Sequence, residues 1–151
     1  MQTQRRNTLA ALIVLSVLST AASCPPKPSD PQRQDQLVLL AKAADRAVQI
    51  TNIVEAAQTT EIALFDSKTV AGFTLEQHQT YQRAFKKFAD LAKPQLILAR
   101  DASTAEATRQ DAIKSVEAGA QELVVTFKGT PSPVLAAIFT TLAATLALAG
   151  V

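Results

Sequence analysis

The chain has 151 residues, room for one modest domain, and its apolar fraction of 48% contains few aromatics, no tryptophan and only four glycines. That composition argues against turn-rich β architecture and glycine-cradled phosphate sites, and for an all-α fold with alanine-rich interfaces. The formal charge of +2 includes Arg5 and Arg6, which lie in a segment read below as removed; without them 13 cations face 13 acids, too even a balance for counterion-driven nucleic-acid binding.

Residues 1–23 have the three parts of a secretory signal: a basic start with Arg5-Arg6, an uncharged and mostly apolar run from Thr8 to Leu18, and small residues from Ser19 to Ser23. The apolar run is too short for a span of about 20 residues. Thr20-Ala21-Ala22-Ser23-Cys24 resembles the lipobox of a bacterial lipoprotein precursor, although Ala21 stands where leucine is usual. The resemblance covers about the first 24 residues and implies cleavage before Cys24 and lipidation of its thiol. Ordinary cleavage after Ser23 is the competing expectation. Cys24 is the sole cysteine, so no intramolecular disulfide is available.

Residues 24–31 form a spacer with four prolines between Pro25 and Pro31, a composition that favours polyproline II. Asp30-Pro31 then suits a helix start, with Asp as N-cap and Pro in the first turn. Leu37, Leu40, Ala44, Ala47, Thr51 and Val54 recur at spacings of three and four, widened by Ile50, Ala57 and Leu64, and predict a helix to about Phe65. Asp66-Ser67 and Gly72 break it.

Thr74 to Gln77 has the pattern of a capping box, and Tyr81, Phe85, Phe88, Ala92, Leu96 and Ala99 predict one buried face of a second helix. Pro94 inside that helix predicts a kink near Asp90. Ser103 to Glu106 reads as another capping box. Ile113, Val116, Ala120, Leu123 and Phe127 mark the third helix, closed by Lys128-Gly129. These elements predict a three-helix antiparallel bundle over residues 32–129.

Residues 133–151 form a second apolar segment with no charge from Val134 to Val151. At 1.5 Å per residue eighteen residues reach about 27 Å, near the thickness of a hydrocarbon core. The expectation is a separate helix that projects from the bundle and crosses a membrane; a fourth core helix is the alternative.

Catalytic chemistry finds little support. His78 is the sole histidine and reads as a packing or partly exposed residue. No metal site, cofactor or small-molecule substrate is indicated, and acids such as Asp111 and Glu117, with Lys114, read as a solvated face. Arg83, Lys86, Lys87 and Lys93 form a basic face beside Phe85 and Phe88, a candidate contact for lipid head groups or an ordinary solvated face. The expected function is a non-catalytic, membrane-anchored structural or interaction module, exported to the bacterial cell envelope. Its partners would be membrane lipid, a protein or a second copy. The two-anchor layout also resembles phage unimolecular spanins, which implies a membrane-disrupting or fusogenic protein linking two membranes.

Overall fold

A computed structural model describes residues 31–149, and these form four α-helices with no strand among them. The expected signal segment 1–23, Cys24 and the expected spacer up to Asp30 lie outside the described residues.

Helix α1 runs Pro31–Ser67 and buries Leu40, Ala44, Ala47, Ile50, Val54, Ala57 and Glu61, one stripe at alternating spacings of three and four. It ends where Lys68 takes a positive φ of 53°. Helix α2, Leu75–Arg100, opens with the expected capping box: the Gln77 N–H donates to Thr74 Oγ1 (3.2 Å) and the Thr74 N–H to Gln77 Oε1 (3.0 Å). Its buried face is Tyr81, Phe85, Phe88, Ala92 and Ala99. The helix is unbroken through Pro94, which lies with Asp90 on an exposed face where water can satisfy the carbonyl that loses its partner.

Helix α3 spans Glu106–Thr126, and here the second capping box does not form. Ala105 is the N-cap, while the Ser103 hydroxyl donates to Asp101 Oδ1 (2.7 Å) and the Thr104 hydroxyl to Asp101 Oδ2 (3.1 Å). The acid at the end of α2 therefore takes both hydroxyls before the next helix can use them, and Glu106 turns to Arg33 instead, 3.8 Å away. Gly119, midway along α3, lies so close to α2 that an added Cβ would meet Phe88 and Leu91 at 3.3 Å. The helix ends at Thr126 with Phe127 as C-cap, just short of the expected Lys128-Gly129 close, and Gly129 takes φ 83° in the turn that follows.

Helix α4 is shorter than its apolar segment, Pro133–Ala147, with the Ser132 hydroxyl accepting from the Leu135 N–H. It does not stand apart. Leu135, Phe139, Leu142 and Leu146 are buried in the same core as the residues of α1, α2 and α3, and the Phe139 ring stacks on Phe127 with centroids 4.0 Å apart. Arg46 of α1 donates to the Leu148 carbonyl (3.1 Å), placing a cation at the negative end of α4. The expectation of a separate spanning helix is corrected, for two reasons. Leu135, Phe139, Leu142 and Leu146 fall on one stripe that faces the core, while the outer face carries mostly alanine and threonine. At 15 residues α4 is also only about 22 Å long. Among the described residues no helix is long and apolar enough to cross a membrane.

The helices alternate in direction. Arg33 to Glu106, and Arg109 Nε donating to the Ala99 carbonyl (3.0 Å), bring the start of α1, the end of α2 and the start of α3 to one end. Phe65, Phe73, Tyr81, Phe127 and Phe139 make a chain of ring contacts at the other end. One end of the core is thus aromatic and thick, the other thin and alanine-rich. Since α4 reaches only to the level of Arg46, the first turns of α1 run on beyond it, and residues 31–39 are exposed.

Candidate functional site

The most developed polar constellation joins α1 to α2 at the aromatic end. The buried stripe of α1 continues from Ala57 to Glu61, so the carboxylate enters the helix interface and is fully buried. Opposite, the Thr74 cap sets the first turn of α2, which places His78 and Gln82 one turn apart on the face toward α1. His78 Nδ1 lies 2.8 Å from Glu61 Oε1, and Gln82 Nε2 donates to Glu61 Oε2. Gln58 Nε2 donates in turn to Gln82 Oε1 (3.3 Å). The imidazole stacks on Phe65, with ring centroids 4.0 Å apart and planes 7° from parallel.

A carboxylate on Nδ1 fixes the imidazole's orientation and leaves Nε2 as its other polar atom, the arrangement used by general bases and by metal-binding histidines. The surroundings supply nothing further of that kind. The shallow hollow beside His78 is lined by Gln79, Gln82 and Arg83, two amides and a guanidinium. Among the described residues no group of three His, Cys, Asp or Glu side chains could hold a metal ion. What the cluster does in the structure is satisfy a buried acid and pin α1 to α2. Glu61 carried a sequence signal, because it occupies the next position of the Ala47, Ile50, Val54, Ala57 stripe; its partners in α2 carried none.

A second acid also departs from the sequence reading. Glu117, expected on a solvated face, is buried on α3. Burial pushes its carboxyl above the ordinary glutamate value, against the opposing pull of Arg46 and Lys114. The same Arg46 donates to the Leu148 carbonyl at the end of α4.

The four cations of α2 remain on the outside, but not as a free basic face. Lys86 pairs with Asp90 (2.7 Å), Lys87 reaches across to Glu122 of α3 (2.5 Å), and Arg83 bonds back to the Gln79 carbonyl (3.2 Å). Lys93 makes no ion pair among the described residues. Phe85 and Phe88 belong to the core rather than to this face. Exposed pairs of this kind hold little energy, about 1 kcal/mol or less each.

Compared with known proteins, the chain matches no family model, no curated protein and no solved structure.

Proposed function

We propose that the chain is an exported lipoprotein of the bacterial cell envelope, tethered at Cys24, whose helical bundle is a non-catalytic structural or interaction module. The observation that carries this reading is the run Thr20-Ala21-Ala22-Ser23-Cys24, which ends a short apolar segment on the chain's sole cysteine and leads straight into a proline-rich spacer. Two features of the bundle support it. The C-terminal apolar helix packs into the bundle core, and a tether at Cys24 asks nothing of it. The buried Glu61 is held by the half-buried His78 and Gln82, which suits a role in holding the bundle together.

Metabolic labelling with a fatty-acid analogue tests the reading in a bacterial host. The wild-type chain takes up label and its mature N-terminus has the mass of an acylated cysteine; Cys24→Ala takes up none. Equal labelling of the two chains, or a mature N-terminus with an unmodified thiol, overturns it.

A further inference from the structure

We propose that the outer face of α1 around Val38 and Leu39 is a self-association surface, on which a second copy of the chain docks its own α1 antiparallel about a two-fold axis. The pairing uses residues of α1 alone and does not depend on the fate of Cys24.

The first observation is a break in an otherwise polar face. Opposite the buried stripe of Leu40, Ala44 and Ala47, α1 presents Lys42, Asp45, Gln49, Asn52 and Glu55 to solvent. A helix face turned only to water keeps that composition along its length. Here it gives way to Val38 and Leu39, which are 49% and 63% exposed.

The second observation is what flanks them. Asp35, Val38, Leu39 and Lys42 stand at i, i+3, i+4 and i+7, so they share one stripe with an acid at one end and a cation at the other. Both charges are exposed, and neither has an ion-pair partner among the described residues.

That order selects both the occupant and its direction. With a second copy laid antiparallel and the axis between Val38 and Leu39, positions equally far from the axis face each other. Val38 packs beside the partner's Leu39, Asp35 meets the partner's Lys42, and the symmetry repeats both contacts. Asp45 faces the partner's Gln32, so no charge in the overlap faces its like. A parallel pairing sets Asp35 on Asp35 and Lys42 on Lys42, which repel. Because the stripe points away from the core, the two bundles lie on opposite sides of the paired helices and do not collide.

Residues 32–45 of each copy overlap, about 21 Å of helix. One pair of helices this short buries less than the roughly 1,200–2,000 Å² of a stable interface, so the dimer forms and parts with concentration. The two exposed ion pairs set its register more than its strength.

Disulfide trapping tests the pairing in the full chain, with Cys24→Ser so that the introduced thiols react alone. The chain is oxidised in the intact bacterial host and its products are separated by mass. Along the helix axis Leu39 lies about 1.5 Å from its symmetry mate, whereas Asp35 lies about 10 Å from its own. Leu39→Cys is therefore expected to give a linked product of twice the chain mass. Asp35→Cys should give almost none, and neither should Leu75→Cys, exposed at the other end of the bundle. Adding Asp35→Lys or Lys42→Asp to Leu39→Cys should lower the yield about threefold or more, and adding both should restore it. All these positions are exposed, so the fold is kept. Absence of the doubled product from Leu39→Cys overturns the proposal, as does a linked product of another mass, which means that a different protein docks there. Linking at 35 as strong as at 39 overturns it in favour of a parallel pair, or of random collision where 75 links as well. Single charge reversals without effect, or a double reversal that fails to restore the yield, overturn the antiparallel register.

Discussion

Glu61 and His78 are 17 residues apart in the chain and bond across the crossing of α1 and α2 at 2.8 Å, with the carboxylate itself fully buried. Removing His78 leaves the buried carboxylate short of a bond, and removing Glu61 leaves the half-buried His78 and Gln82 without their shared acceptor; a lost bond of this kind costs about 1–3 kcal/mol. Glu61→Ala and His78→Ala are each expected to lower unfolding stability by that amount in urea titrations followed by circular dichroism. The double variant should lose clearly less than the sum, because the two residues share one network. Strict additivity would mean that the pair is not coupled in solution.

Helix α4 sets up the second expectation. Leu135→Ala should cost about 2–5 kcal/mol and Phe139→Ala about 3–5, whereas Leu148→Ala, at a residue 81% exposed, should stay within about 0.5. Deleting residues 132–151 uncovers the faces of Phe85 and Phe127, which contact Phe139. The truncated chain should bind a hydrophobic dye and aggregate. A soluble, cooperatively unfolding product would show that the helix is dispensable.

Glu117 gives a pH dependence. Its folded-state carboxyl titrates above the ordinary value of 4.5, so between 4.5 and that raised value the folded state holds a proton that the unfolded state has lost. Stability from this group therefore falls as pH rises through that window, and at neutral pH the buried charge is a burden. Glu117→Gln should raise the thermal midpoint at pH 7, with the gain disappearing below pH 4.5. A lower midpoint at pH 7 would mean that Arg46 and Lys114 outweigh burial.

The two expected capping boxes behave differently, and substitution separates them. Thr74→Ala should cost about 0.5–2 kcal/mol, the usual value of a helix N-cap. Ser103→Ala acts through Asp101, whose carboxyl is held below its ordinary range first by the Ser103 hydroxyl and N–H and then by Thr104. An NMR titration should show the Asp101 carboxyl moving up toward 3.8 in Ser103→Ala. Asp101's stabilising contribution is present above 3.8 and is lost as pH falls through its lowered value. An unmoved titration curve would mean that the hydroxyl does not bind there in solution.

The helices themselves were written in local pattern. Tyr81, Phe85, Phe88, Ala92 and Ala99 of α2, and Ile113, Val116, Ala120 and Leu123 of α3 with Phe127 just past its end, follow the period of a helix face and are buried, while Leu96 of the expected α2 face is half-buried. The Thr74 cap is also local, because it depends on contacts within one turn. The candidate polar site was half legible: Glu61 lies on the α1 stripe, but its union with His78 needed the crossing of two helices. Tertiary packing alone decided the rest. Whether a charge-free helix enters lipid or protein depends on whether a complementary apolar groove is present, and residues 133–147 find one beside Phe85 and Phe127. The same packing buried Glu117 and left the Leu37 to Leu39 turn uncovered, because a fourth helix of 15 residues ends well short of a first helix of 37.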